Sequence, residues 1–334
     1  MLRTAVTRIS WSIVILLTLA TVTFFLTHVV PADPSAYLAG QNAGTAQVEA
    51  VRHSLGLDKP LMVQYSNYMK GLVQGNLGDS IRTHRAVALD VRDALPASLE
   101  LIFYGFVLYL MLSFFLGVSA ALRRSGPIDV LIRGFTTIST AVPVFWLALV
   151  FQIVFYGHLG WFPLSGRLTL GTAPPSTVTG FYTIDSLIAG KPSLFVDAVR
   201  HLVLPSAAVA MSLLAVGTRV VRVSFIEQLK QDYVRTAKAK GLGPGRILAR
   251  HVFRNVINSV ITITGIQLGY TVGFIILVEV VFDWPGIGLY AFASFDAFDY
   301  AAVVGVTLVT GAAFVLINLI SDIIYPMFDP RLRT

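Results

Sequence analysis

The chain has 334 residues, of which 55% are hydrophobic and 13% charged, with a formal net charge of +7 and no cysteine. Soluble domains carry about a quarter charged residues, so this composition cannot cover a globular surface and places the chain in a membrane. The apolar content excludes disorder, and the missing thiols exclude a disulfide scaffold, Fe–S clusters and Cys-ligated zinc.

Six stretches reach the roughly 20 apolar residues that a bilayer-spanning helix needs. They cover residues 9–30, 98–122, 130–156, 202–223, 257–282 and 301–325, so the expected fold is all-α, a polytopic membrane protein with six transmembrane helices. The first stretch follows Arg3 and Arg8 and ends at Pro31. It exceeds the roughly 7–15-residue apolar core of a cleaved signal and reads as a retained anchor, making residues 1–30 a tail plus first span. Residues 31–97 read as an extracytoplasmic cap, with a polar linker from Gly40 to Thr45 and a helical run from Ala46 to Gln74 broken at Pro60. Residues 98–334 form the five-helix core. Within it Pro143 is expected to kink the third span, its freed carbonyl satisfied by neighbouring helices. An outer loop at 157–201 carries Trp161 and Phe162, expected as interfacial anchors. The proline and glycines of 282–288 demand a tight turn that folds back toward the protein.

Charge sets the orientation. With the N-terminus, the 123–133 turn, the 219–256 segment and the C-terminus on one side, that side holds sixteen basic residues against five acidic ones. The other side holds nine basic against thirteen acidic. The positive-inside rule makes the first side cytoplasmic, with both termini inside. The basic excess is topological; no basic patch interleaved with stacking aromatics points to nucleic acid.

The cytoplasmic segment 224–256 carries the sharpest signal. Good helix formers run from Ile226 to Lys240, Gly241 suits a helix end, and Pro244 suits the first turn of a second helix running back to the membrane. Ala237, Ala239 and Gly241 are small and ringed by cations, so another surface could approach this backbone closely. The same residues also fit a solvated positive-inside loop, or cations resting on anionic headgroups.

The run Asp232-Tyr-Val-Arg-Thr-Ala-Lys-Ala-Lys-Gly-Leu242, with Arg250-His and Arg254-Asn after it, resembles the cytoplasmic "EAA" loop of ABC-importer permeases. The resemblance extends along nearly the whole chain. It takes in Pro31-Ala-Asp-Pro34, Leu55-Gly-Leu-Asp-Lys-Pro60 with Gln64-Tyr65, and Gly75-Asn-Leu-Gly-Asp-Ser80. It continues through Leu95-Pro-Ala-Ser-Leu-Glu100, Pro143-Val-Phe-Trp146, Leu159-Gly-Trp-Phe-Pro163 and Ser165-Gly-Arg167. Val281-Phe-Asp-Trp-Pro-Gly-Ile-Gly288 and Asp329-Pro-Arg-Leu-Arg333 complete it. The chain is most similar to the oligopeptide/dipeptide/nickel branch, and to the first, B-type, of its two permease subunits. It departs from the pattern at Arg235, where the general loop motif begins with Glu, and at Asn258, where the branch places Pro.

The resemblance implies an ABC type I importer permease of the prokaryotic inner membrane, forming half of a translocation pathway. It implies four kinds of contact: a second homologous permease subunit, two ATPase subunits that bind ATP and Mg, an extracytoplasmic solute-binding protein, and lipid. It further implies that Asp232, Tyr233, Arg235, Thr236, Ala237, Ala239, Lys240, Gly241 and Leu242 form the ATPase-coupling loop. Peptide is the expected solute by family frequency, with nickel, glutathione and oligosaccharide open. The sibling could be a different chain or a copy of this one.

The chain is not expected to be an enzyme or to hold a cofactor or metal of its own. No Gly-x-x-x-x-Gly-Lys-Ser/Thr loop occurs, since Gly190-Lys191 is followed by Pro192, and there is neither a His-Glu-x-x-His motif nor a Gly-x-Ser-x-Gly elbow. The histidines at 28, 53, 84, 158, 201 and 251 are scattered, and Asp322 stands alone. Glu100 and Glu279 are expected at span ends, leaving the span interiors without the midplane charges of an ion-coupled carrier. Gln152, Gln267, Thr271, Asn318 and Ser321 could line a pathway, though hydrogen bonds between helices are the commoner use. Gly265, Gly269 and Gly273 form a small-residue stripe, expected to pack within the chain rather than to make a sliding subunit seam. The competing reading is a stand-alone polytopic protein, either an ion-coupled carrier or an intramembrane enzyme.

Overall fold

The computed structural model describes residues 2–29, 44–54 and 58–328. The expected features at Pro31–Pro34, Leu55–Leu57 and Asp329–Arg333 lie outside them. Among the described residues the regular structure is helical. The helices are α1 (Leu2–Val29), α2 (Thr45–Ser54), α3 (Leu61–Val73), α4 (Val87–Leu122), α5 (Pro127–Ala141) and α6 (Val144–Phe151). Then follow α7 (Tyr182–Ile188), α8 (Pro192–Leu229), α9 (Asp232–Ala239), α10 (Pro244–Ile247), α11 (Phe253–Val281), α12 (Ile287–Asp296) and α13 (Tyr300–Phe328). Five of them contain stretches long and apolar enough to cross a membrane, and α5 with α6 makes a sixth crossing if counted together.

The third span departs from expectation. Instead of a kinked helix there is a break, and the chain turns by 105° between α5 and the segment running from α6 to His158. Proline disfavours the helical region for the residue before it. Val142 is accordingly extended (φ −87°, ψ 131°), and Pro143 itself has ψ 138°, so two consecutive residues leave the helix. After α6 a π-helical turn, Gln152–His158, carries the chain into the outer loop. The second span also differs, because α4 starts at Val87, eleven residues before the expected 98, and keeps Pro96 inside it.

The core of the bundle is the α4–α8 pair. Lipid supplies no hydrophobic drive between helices, so close backbone approach and hydrogen bonds must hold them. Glycines provide the approach. A β-carbon at Gly105 would lie 2.8 Å from Val209, at Gly117 2.6 Å from Val221, and at Gly217 2.5 Å from the Tyr109 hydroxyl. Around this seam Leu101, Ala148, Val209, Val278, Phe282 and Trp284 form the main buried cluster. A second cluster sits at the cytoplasmic end and a third, around Val87, Val91, Ile287 and Tyr290, at the outer end.

Candidate functional site

The cytoplasmic loop is built from two breaks in helix. The expected single helix from Ile226 to Lys240 is divided: α8 stops at Leu229, Gln231 is extended (ψ 152°), and α9 begins at Asp232. The turn lets an apolar pair fold back. Val234 and Ala237, three residues apart on α9, are buried among Ala121, Val221, Phe225, Ile247, Val252 and Val256. Tyr233 ties the corner, its hydroxyl 2.8 Å from Gln228 Oε1. Lys240 closes the helix and Gly241 follows at φ +75°, a left-handed position that suits glycine. Pro244 then opens α10 at its first turn.

This arrangement sorts the nine expected loop residues. Asp232, Arg235, Thr236, Ala239, Lys240 and Gly241 are exposed, Tyr233 and Leu242 are half-buried, and Ala237 faces inward. The exposed loop residues therefore lie on the outer side of α9 and its C-terminal turn, without Ala237. Around Gly241 the space is open: a β-carbon there would meet nothing within 4 Å.

The apolar cluster beneath α9 draws on the ends of α4 and α8 and on the start of the helix that becomes α11. Phe114 of α4 adds edge-on contacts to Phe225 of α8 and Phe253 of α11, with ring centroids 6.1 and 5.3 Å apart. α9 is thus packed, through these side chains, against three spans. Beside it, Asp129 at the start of α5 is fully buried and accepts from Arg222 Nε and Nη2, both at 2.7 Å, and from the Ser125 amide at 3.0 Å. Arg133 approaches the same carboxylate at 3.4 Å. This bidentate pair pins α5 to α8 one to two turns before the loop.

At the outer end two more buried carboxylates organise the turns. Glu100 is 1% exposed and lies thirteen residues into α4 rather than at its end, because the helix starts at Val87. It accepts from Arg167 Nη2 at 2.5 Å and from the Thr183 amide and hydroxyl at 2.9 and 2.7 Å. Arg167 also donates to the Gly180 carbonyl and stacks its guanidinium 3.5 Å from the Tyr182 ring centre. Glu279, in the last turn of α11, accepts from Ser98 Oγ at 2.6 Å and from the Gly288 amide at 2.6 Å. That carboxylate ties the start of α12 to α4. Trp284 completes the join, buried and donating from Nε1 to the Ala97 carbonyl at 2.8 Å. In the loop between, Asp185 takes hydrogen bonds from the Val178, Thr179 and Gly180 amides and the Thr179 hydroxyl. Burial alone would raise its pKa, but these donors outweigh it and hold the carboxyl below the usual range.

The remaining expected positions scatter. Gln152 donates to the carbonyls of Leu164 and Val281, so it bridges the outer loop to α11. Thr271 is buried and bonds back to the Gln267 carbonyl in its own helix, and Gln267 is buried beside it. Asn318 bonds to the Phe314 carbonyl of α13. The glycine stripe on α11 is not one surface: Gly265 and Gly269 are buried, and Gly269 faces Phe314, whereas Gly273 is exposed with open space around it. Four-residue spacing drifts around a 3.6-residue helix, which separates the two ends. Trp161 is 57% exposed as an anchor would be, while Phe162 packs against the main cluster.

Residues 113–334 match the family model for the binding-protein-dependent transport system inner membrane component, and residues 1–102 match its N-terminal companion. The chain belongs to this family. It is 40% identical over 323 residues to the probable D,D-dipeptide transport system permease protein DdpB of Escherichia coli K12, covering 96% of this chain and 95% of that one. It is 34% identical over 333 residues to the dipeptide transport system permease protein DppB of Alkalihalophilus pseudofirmus, covering both chains in full. Among solved structures, an inward-facing conformation of the MetNI methionine ABC transporter matches with a TM-score of 0.51 at 15% identity. That match covers 70% of this chain and 93% of the other, and shows a shared fold. The chain is thus a multi-pass inner membrane permease subunit of an ABC importer.

The buried carboxylate centres at Glu100, Asp129 and Glu279 are among what sequence reasoning missed. Their pairing was not visible, since the partners of Glu100, Asp129 and Glu279 lie 67, 93 and 181 positions away.

Proposed function

We propose that this permease forms half of the pathway of an ATP-driven importer of short peptides and takes its drive through α9. In this reading two ATPase subunits, holding ATP and Mg, seat the exposed face formed by Asp232, Arg235, Thr236, Ala239, Lys240 and Gly241. A second homologous permease completes the pathway, and an extracytoplasmic solute-binding protein delivers the peptide. The chain itself performs no chemistry. The peptide assignment rests on relatives named for dipeptide transport, matched over 95% or more of their length.

The observation that carries the coupling role is the seating of α9. A short exposed helix in solvent would be marginal by itself. Here Val234 and Ala237 anchor it to a cluster drawn from three spans. Closure of the ATPases would then move α9 as a rigid lever and tilt α4, α8 and α11 together, while the Asp129–Arg222 pair carries α5 along with α8.

The test is ATP-dependent uptake of labelled dipeptides into proteoliposomes holding the assembled complex, wild type against Gly241→Val. A β-branched side chain at φ +75° is strained by about 1–3 kcal/mol and fills the open approach. Uptake should collapse with the complex still assembled. Uptake falling only in step with the amount of complex would place the lesion in assembly, and uptake of another solute class in place of peptides would overturn the substrate.

A further inference from the structure

We propose that α3 is an in-plane membrane helix whose uncovered apolar face lies in the outer leaflet of the bilayer. At 100° per residue, Leu61, Leu72, Tyr65, Met69, Met62 and Val73 fall within an arc of about 120°. Asn67 and Lys70 lie on the other side, and the helix has no acidic residue. One edge of the arc is covered by the protein. Tyr65 meets the Thr21 hydroxyl of α1 at 2.8 Å, and the Tyr65 and Tyr68 rings pack on Phe24 at centroid distances of 5.2 and 5.4 Å. The other edge is bare, with Met62 79% and Val73 87% exposed.

Depth and continuity identify what covers it. Thr21 lies within the apolar stretch Thr7–Phe25 of α1, so its tyrosine partner meets that helix at membrane depth. On α1 itself Val14, Leu17, Val22 and Phe25 are roughly half exposed, as side chains facing lipid are. The bare edge of α3 therefore adjoins a membrane span whose own uncovered side chains are apolar. An apolar belly and a back that carries Asn67 and Lys70 are the attributes of a helix lying in the interface.

The chain has no cysteine, so single-cysteine variants of it can be spin-labelled directly. Met62→Cys, Val73→Cys and Asn67→Cys would be labelled one at a time in the assembled complex, in phosphatidylethanolamine–phosphatidylglycerol liposomes. Collision with oxygen, which concentrates in lipid, is compared with collision with a water-soluble nickel chelate. Labels at 62 and 73 should favour oxygen and the label at 67 the chelate, so the logarithm of the ratio changes sign across the helix. Chelate access at all three would make α3 a solvated cap. Shielding of 62 and 73 from both reagents would mean a protein covers the face; either result overturns the proposal.

Discussion

Removing one member of the Glu100–Arg167 pair should unfold the outer loop before it affects anything else. Both side chains are nearly dry, at 1% and 7% exposure, so neither charge can fall back on water. Glu100→Gln leaves a buried guanidinium with the Gly180 carbonyl and the Tyr182 ring, and with its Nε already lacking a partner. Arg167→Met leaves a buried carboxylate with only Thr183. Each should cost about 3–5 kcal/mol. The double change Glu100→Gln with Arg167→Met removes both charges and strands mainly the Gly180 carbonyl, an expected loss of about 1–3 kcal/mol. The double variant should thus be no worse than either single, and short of their sum by at least about 2 kcal/mol. Unfolding in mixed detergent micelles measures the three differences, and limited proteolysis between 168 and 180 reports the loop locally. Singles that add to within about 0.5 kcal/mol would refute the reasoning, because independent sites behave that way.

The close helix crossing makes a second contrast: Gly117→Ala should lower stability by about 1–3 kcal/mol, its β-carbon being 2.6 Å from Val221, as read by detergent thermal shift. Gly273→Ala, with open space around it, should raise stability of the isolated chain by up to about 1 kcal/mol. A loss of co-purified partner in that variant would instead mark Gly273 as part of a subunit seam. Asp129→Asn should weaken the α5–α8 tie and reduce transport more than ATP hydrolysis, measured side by side in proteoliposomes, since the pair lies between loop and spans. The lowered pKa of Asp185 makes its stabilisation fully present above the ordinary Asp value near 4 and lost as pH falls below it. Proteolytic nicking near Thr179 should therefore rise below about pH 4 and be insensitive to pH in Asp185→Asn.

Apolar length was enough to read the membrane crossings, because it is summed along the chain and needs no partner. The loop's punctuation was legible for the same reason: a positive φ at Gly241 and a helix start at Pro244 are local demands of those residues. Pro143 was legible as a disturbance but not as a 105° turn, since kink and break differ in whether Val142 also leaves the helix. The break at Gln231 was hidden because 226–240 has good helix propensity throughout. The chain bends there because Val234 and Ala237 gain a buried cluster supplied by residues up to 116 positions away. Glu100 is the clearest loss. Its apolar surroundings gave a depth but not the arginine in a Gly-rich loop that neutralises it.

The most direct test of coupling through α9 is a site-specific cross-link. In the cysteine-free chain, Thr236→Cys, Ala239→Cys and Ala237→Cys would each carry a photoreactive maleimide in the complex purified from native membranes. Positions 236 and 239, on the exposed face, should capture a co-purifying ATP-binding subunit with a yield that changes when nucleotide is added, and buried 237 should not. Capture of no ATP-binding protein from 236 or 239, in a complex that still hydrolyses ATP, would contradict it.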